Sequence, residues 1–444
     1  LLSRRKTLLH VEIIFEQMKK EGTIKIEKGL HAKRGTAEDI LLTILFLAKF
    51  VPKMQMYAKF RGIMTFLAGK TISCGWLAIT SLISQKILYC HTTSGIPWGS
   101  KMMTNNPRED EFWKIIPLWK EIDYETFIDH RWQEKNAVSN FKKLIKIISD
   151  VADPAFLEDA QKGFAQAPMA VRISPYLLSL MDWDDPINCP IRRQFLPLAS
   201  QLLPDHPMLK FDSLAEQEDA PVKGLTHRYP DKVLFLALDT CPVYCRFCTR
   251  SYAVGTNTPT NEKVSIKASR GRWKDVFKYL RDNKSIEDVV ISGGDSYRLK
   301  ADQIYEIGDE LLSIDHIRRF RFATKGLSVS PMKLLTDKAW IDAVSRITAD
   351  GRRQNKEVCI HTHFNHVREF TGITDKVLKL LFGRGIKVRN QTVLQNKVND
   401  SPAEMIELVK KMSHMHVQPY YVYGHDLVKG TEDMRTSVAT AMDL

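Results

Sequence analysis

VLFLALDTCPVYCRFCTR, residues 233–250, decides the fold class of this chain. Val233 to Asp239 is a continuous apolar run closed by an acid, as a strand buried on both faces requires. Five similar runs follow: DVVISGG (288–294), RRFRFAT (318–324), EVCIHTHF (357–364), KVRNQTVL (387–394) and VQPYYVY (417–423). Helical patterns lie between them. Trp273, Val276, Phe277 and Leu280 are spaced i, i+3, i+4, i+7. Ser401-Pro402-Ala403-Glu404 is a capping box with proline at the first helical position, ahead of Ile406, Val409 and Met412. Strands alternating with helices predict a parallel α/β architecture. Periodicity does not choose between an open doubly wound sheet and a partial (β/α)6 barrel. In both, ligands gather at the C-terminal ends of the strands. The residues just past each strand are therefore the candidates for a site.

Past the first strand, Cys241, Cys245 and Cys248 occupy one short loop at spacing C-x3-C-x2-C. Three thiolates that close suit a soft metal centre. Zinc calls for a fourth ligand. An iron–sulfur cluster on three cysteines has one iron open to a chelating substrate or cofactor. Seven cysteines in 444 residues are too few for a disulfide scaffold and place the chain in a reduced compartment such as the cytoplasm. Cys74, Cys90, Cys189 and Cys359 read as incidental or buried thiols.

These motifs resemble those of the radical SAM superfamily. The wider run GLTHRYPDKVLFLALDTCPVYCRFCTR (224–250), with SGGD (292–295), THFNH (362–366), NQTVL (390–394), VND (398–400) and PYYVYGHDLVKG (419–430), resembles the lysine 2,3-aminomutase family over roughly residues 110–444.

The resemblance implies a radical SAM-type partial (β/α)6 barrel. It implies a 4Fe–4S cluster on Cys241, Cys245 and Cys248, its open iron chelated by S-adenosylmethionine. Phe247 takes the aromatic position near the adenine. Ser292, Gly293, Gly294 and Asp295 form the loop that holds the methionine part, and His363 and Gln391 lie near that cofactor. Pyridoxal 5′-phosphate is the second implied cofactor. Arg228 and Tyr229 match residues that contact it, and Tyr423 matches an aromatic beside it. Arg250 matches the partner of the substrate carboxylate. Asp426 matches one of the acids that receive the distant ammonium of lysine. Read without the resemblance, the SGGD glycines let backbone approach a ligand closely. A lone histidine such as His363 is otherwise read as a core residue, and the charged side chains as surface charges. His361 and His366, with His363, leave a three-histidine metal site open, although no acid pattern supports it.

The implied reaction moves the α-amino group of L-lysine to C3, giving β-lysine, through a 5′-deoxyadenosyl radical. The alternatives are the same chemistry on glutamate or arginine, or lysine isomerisation serving elongation factor P. From other classes come an iron–sulfur electron carrier and a structural metal-binding module. Asp426 speaks against glutamate, whose side chain it would repel. The implied partners are a small amino-acid substrate, an electron donor such as flavodoxin or ferredoxin, and a second copy of the chain in a homo-oligomer. One departure is large. The family's Schiff-base lysine lies in a PGGGGK-like segment downstream of the position of Asp426, and no such segment occurs in these 444 residues. No catalytic lysine is therefore assigned, and the expectation is a truncated chain, inactive as it stands.

Upstream of this 221–444 core the composition changes. Residues 107–220 read as a mainly helical region, with Trp113, Ile116 and Trp119, and Phe141, Leu144, Ile145 and Ile148, at helical spacing. DWDDPINCPIRRQF (182–195) reads as an exposed connection, and EQEDAP (216–221) as the close of the helical section. Residues 1–106 are an atypical basic head, expected to be poorly ordered or foreign to the family. Residues 1–100 hold 15 Lys/Arg against 6 Asp/Glu, so most of the net charge of +13 sits there and not in a stripe on the main body. Nucleic-acid binding is not expected on that distribution. The most apolar window, residues 62–84, is broken by Lys70 and three glycines, so a membrane span is not expected either.

Overall fold

A computed structural model of the chain describes residues 111–444. The head, with the apolar window and with Cys74 and Cys90, lies outside the described residues.

Local capping chemistry organises the helical region. Its helices are α1 (Tyr124–Ile128), α2 (His130–Asn136), α3 (Phe141–Ile148), α4 (Pro154–Gln166), α5 (Pro175–Leu180) and α6 (Pro190–Phe195). Asp123, Asp129, Asn140, Asp153 and Ser174 each accept from a first-turn N–H at the start of α1 to α5. Such caps satisfy donors that a helix cannot satisfy itself. Trp113, Ile116 and Trp119 are buried as expected, but on two short 3₁₀ turns. Pro117 interrupts any longer helix there, having no N–H to give. They share one core with Phe127, Leu144, Tyr176 and Phe195.

Residues 182–195 are the expected exposed connection only in their first half, where Asp184, Asp185, Ile187 and Asn188 are exposed; from Cys189 on they fold into a buried helix. The Cys189 sulfur caps α6, accepting from Arg192 N at 3.5 Å, and Arg192, Arg193 and Gln194 are buried. Their guanidiniums are met by carbonyl oxygens: Arg192 by Pro186 and Leu196, Arg193 by Asn396 and Asp433. The helical section closes at Gln201, earlier than the EQEDAP run, and residues 202–224 carry no helix and no strand.

The core is a seven-stranded sheet of β1 (Leu225–Tyr229), β2 (Lys232–Leu238), β3 (Asp288–Gly293), β4 (Arg319–Ala323), β5 (Glu357–Thr362), β6 (Lys387–Val393) and β7 (Val417–Tyr423). The strands lie in sequence order. β1 pairs antiparallel with β2, and every later pair is parallel. The six expected strands are present, and β1 is an addition. The helices after β2 are α7 (Arg270–Asp282), α8 (Ala301–Leu312), α9 (Gly326–Val329), α10 (Lys333–Thr336), α11 (Lys338–Arg353), α12 (Gly372–Gly383), α13 (Pro402–His414) and α14 (Val438–Asp443). Trp273, Val276, Phe277 and Leu280 of α7 are all buried against the sheet. At α13 the cap is as read, Ser401 accepting from Glu404 N, but the buried face is Met405, Leu408 and Met412. Ile406 and Val409 are exposed.

The strands are apolar toward the helices and polar at their starts. Asp288 is fully buried at the head of β3 and accepts from Arg319 Nε at 2.7 Å and Arg321 Nε at 3.1 Å on β4. Asp288→Asn keeps the shape and removes the charge, leaving Arg321 buried without its counter-ion. Breaking a buried pair from one side costs about 3–5 kcal/mol. The expected result is a lower urea midpoint with an unchanged slope. An unchanged midpoint would mean that the pair contributes nothing net.

Candidate active site

The cysteine loop leaves the C-terminal end of β2 and is braced from three sides. From β3, Gly294 N donates to Leu238 O at 2.6 Å and Asp295 N to Thr240 O at 2.9 Å. From the helical region, Arg172 Nε donates to Pro242 O at 3.0 Å, and Arg172 O accepts from Tyr244 N. Gln194 O accepts from Arg246 N at 3.0 Å. From beyond β7, Asp433 accepts from Arg246 Nη2 at 2.8 Å, both side chains being buried. The spacing of the cysteines is thus fixed by a scaffold and not by the loop alone.

The SGGD glycines serve that bracing, packing backbone to backbone against the end of β2. Gly293 has φ +113, and a Cβ there would stand 2.2 Å from Leu238 O; at Gly294 it would stand 2.4 Å from Thr240 O. The close neighbour is the backbone of β2 and its loop. Ser292 is buried on β3. Asp295 is committed locally, accepting from Tyr297 N and Lys325 N at 2.8 Å each. Burial raises its pKa.

Cys241, Cys245 and Cys248 are free thiols. Burial holds the Cys241 thiol well above the usual range, and the charges of Asp295, Cys248 and Cys245 add to that. Burial likewise pushes Cys245 up to about 12, with Lys325 opposing it. Bound iron reverses this balance, because a metal-bound thiol is deprotonated outright. Among the described residues, no three His, Cys, Asp or Glu side chains converge as ligands of one ion. In this arrangement His361, His363 and His366 do not form a metal site, and the cysteines do not form a preformed zinc site. A 4Fe–4S cluster takes each thiolate on a different iron, so its ligands stand apart. Three free thiols on one braced loop, with the buried and unpartnered Nε2 of His363 on the ring that faces Phe247, fit that group.

Phe247 and His363 are brought together, their ring centroids 5.6 Å apart. Between them and the helical region sits a polar knot that sequence reading missed. Lys325, just past β4, donates to His363 O at 2.8 Å and lies 3.5 Å from Glu369. Its ammonium stands over the rings of Phe195 and Phe247. Glu369, fully buried, also accepts from Gln194 Nε2 at 2.9 Å and from Asn365 N. The only signal in the sequence was the density of polar residues past β5, His363, Asn365, His366, Arg368 and Glu369. Gln391 turns along the sheet, its Nε2 3.1 Å from His361 Nδ1.

Burial, reinforced by neighbouring arginines, depresses the pKa of His361 to about 3 and of His366 to about 4. Both are neutral in the fold and charge in the unfolded chain below the ordinary value of 6.5. Their stability contribution is complete above pH 6.5 and is lost as pH falls toward these folded values. The melting temperature is expected to fall across that window, and less steeply in His361→Gln. Parallel profiles for the two proteins would contradict the assignment.

At the other end of the site, Arg250 donates from Nη2 to Glu216 Oε1 at 2.8 Å. Its Nε is buried without a partner. Asp426, half-buried past β7, has its pKa raised by burial and by Glu216, while Arg250 pulls it down. Arg250 and Asp426 thus lie within electrostatic reach of each other, with Glu216 as a second, unforeseen acid. Arg228 lies on β1 but turns away to Asp219, at 2.6 Å, and to Leu214 O. In this structure its fork is occupied and not held open for a phosphate. Tyr229 and Tyr423 are exposed, one at the end of β1 and the other at the end of β7.

No protein-family model matches the chain. Over 329 residues it is 33% identical to the L-lysine 2,3-aminomutase of Clostridium subterminale, covering 74% of this chain and 73% of that protein. The chain belongs to the lysine 2,3-aminomutase family. The L-lysine 2,3-aminomutase of Bacillus subtilis (strain 168) is 34% identical over 335 residues, 75% of this chain, which spans 66% of that relative's length. The glutamate 2,3-aminomutase of Clostridioides difficile (strain 630) is 30% identical over 332 residues, 74% of this chain and 72% of the relative. The family's named members are aminomutases, which are isomerases. Among the described residues no helix is long and apolar enough to cross a membrane.

Proposed function

We propose that this member of the lysine 2,3-aminomutase family is built for radical SAM chemistry on L-lysine, moving its α-amino group to C3. The β2–β7 strands form the partial barrel around the reaction. Cys241, Cys245 and Cys248 hold a 4Fe–4S cluster, and Phe247, Asp295, His363 and Gln391 surround S-adenosylmethionine. Tyr229 and Tyr423 flank pyridoxal phosphate, with Arg228 reaching it after release from Asp219. When bound, these groups supply hydrogen-atom abstraction and an electrophile for the amino group.

The chain's own residues do the positioning. The buried knot of Lys325, Glu369, Gln194 and Asn365 keeps the cluster end dry and fixed. Arg250 meets the substrate α-carboxylate with the donors that Glu216 does not use. Asp426 meets the ε-ammonium. The observation that carries this reading is the cysteine loop, free in its thiols and tied to β3, α6 and Asp433 at the ligand end of the sheet.

Glutamate is the second reading, supported by the glutamate 2,3-aminomutase relative. Two acids at the amino-acid end favour lysine over it. A small electron donor of the flavodoxin or ferredoxin type, a cytoplasmic setting and a homo-oligomer complete the proposal. Anaerobic reconstitution with iron and sulfide, followed by reductant and S-adenosylmethionine, tests it. Methionine and 5′-deoxyadenosine should appear; a loaded cluster that releases neither contradicts the reading. L-Lysine should bind more tightly than L-glutamate in calorimetry.

A further inference from the structure

Glu216 is only 3% exposed, and both of its oxygens are engaged. Oε1 accepts from Arg250 Nη2 at 2.8 Å and Oε2 from Tyr252 OH at 3.0 Å. Its backbone is held as firmly. Glu216 N donates to Asp212 Oδ1 at 2.9 Å, and Glu216 O accepts from Thr226 Oγ1 at 3.2 Å. The preceding Ala215 sits at φ 52, a left-handed conformation that a non-glycine residue adopts at a cost. An irregular segment has been fixed at some expense to put one carboxylate beside one arginine.

That same segment is zipped to the loop that carries Asp426. Lys210 N donates to Leu427 O at 3.0 Å, and Lys429 N donates to Lys210 O at 3.2 Å. Gly430 N donates to Asp205 Oδ1 at 2.8 Å. The two acids are therefore carried by one backbone-linked unit. Asp426 has no ion pair of its own among the described residues, and Arg250 Nε is buried with nothing to donate to. Arg250 and this unit thus present one unmet donor and one carboxylate without an ion pair.

We infer that Glu216 is a positioning residue for the amino-acid end of the site: it aims Arg250 and, with Asp426, sets two carboxylates against one guanidinium. This rests on the reading of Arg250 and Asp426 as substrate-binding residues. A planar guanidinium held at Nη2 by a fixed carboxylate keeps its remaining edge in one plane, ready for a second carboxylate. The charge count then selects the ligand. Two acids and one arginine leave one negative charge, which an amino acid with one carboxylate and two amino groups neutralises. A second carboxylate on the ligand would face Asp426 and Glu216 with no cation to meet it.

The test is calorimetric titration of the anaerobically reconstituted protein with three probes. These are L-lysine, L-lysinamide, which lacks the carboxylate, and L-norleucine, which lacks the ε-ammonium. The unaltered protein should prefer lysine to both analogues. Glu216→Ala should cut its preference for lysine over lysinamide by about tenfold or more, the size of one charge-assisted hydrogen bond. Its preference for lysine over norleucine, which reports Asp426, should change far less. Glu216→Gln keeps one oxygen for Arg250 and should retain part of the lysinamide discrimination. It serves as the folded control should the alanine variant lose its cluster. If both variants discriminate as the unaltered protein does, Glu216 is merely structural and the inference falls while the site reading stands. If the unaltered protein shows no preference among the probes, the site reading itself falls.

Discussion

Cys241→Ala, Cys245→Ala and Cys248→Ala are each expected to reduce cluster iron and sulfide, and the cleavage of S-adenosylmethionine, to background. On the proposed assignment each cysteine supplies one of only three protein bonds to the cluster, so no redundancy covers its loss. The fold should survive, because the loop is anchored by backbone bonds from Leu238, Thr240, Pro242 and Arg246 and not by the thiols. Cys189→Ala and Cys359→Ala are the controls. Cys189 caps a helix, and Cys359 is buried in β5 near its start, beside Arg389 and away from the ligand end. Iron and sulfide assays with circular dichroism read the outcome. A cluster that loads normally in any of the three variants would mean that its ligands lie elsewhere. Loss of the cluster in Cys359→Ala would supply a fourth protein ligand and close the open iron.

Asp426→Asn is expected to weaken L-lysine binding by roughly 30- to 100-fold, the low end of the 2–5 kcal/mol that losing one partner of a desolvated charge pair costs. The low end applies because Asp426 is only half-buried and Glu216 remains as a second acid nearby. Asp426→Lys should reject lysine by like-charge repulsion and improve binding of glutamate relative to lysine. Calorimetry with both amino acids reads the effect. Unchanged lysine affinity in Asp426→Asn would place the acid outside the pocket and remove the main physical support for lysine over glutamate.

The six parallel strands were legible because each begins or continues as an apolar run with a turn or acid at its end, and because helical spacing fills the gaps. β1 was not. LTHRY is five residues long, pairs antiparallel, and grades from buried Leu225 to exposed Tyr229, which is an edge strand with little hydrophobic signal. The cap of α13 was legible from Ser401 and Pro402, but its inward face was not. Met405 and Ile406, and Leu408 and Val409, put apolar residues side by side, and only packing decides which pair turns in. The 182–195 segment misleads for the opposite reason. Its arginines look like solvent-facing charges, yet backbone carbonyls satisfy them inside the protein.

The site divides along the same line. The cysteines announce themselves because chemistry demands three thiols in one loop, and Phe247 is picked out by the resemblance to the radical SAM superfamily. Glu216 and Lys325 do not, because each acts through space. Glu216 reaches Arg250 across 34 residues, and Lys325 reaches His363 across 38. Glu216 opens the acidic run EQEDAP, and nothing in the sequence sets it apart from Glu218 or Asp219. Nor do the SGGD glycines reveal from sequence how closely the backbone of Leu238 and Thr240 packs against them.

The central claim is that the cluster has an open iron which S-adenosylmethionine chelates. The most direct measurement is the EPR spectrum of the reconstituted, reduced protein with and without S-adenosylmethionine. The account predicts a 4Fe–4S signal whose g-values and line shape change when S-adenosylmethionine is added. An identical spectrum in the two samples would contradict it.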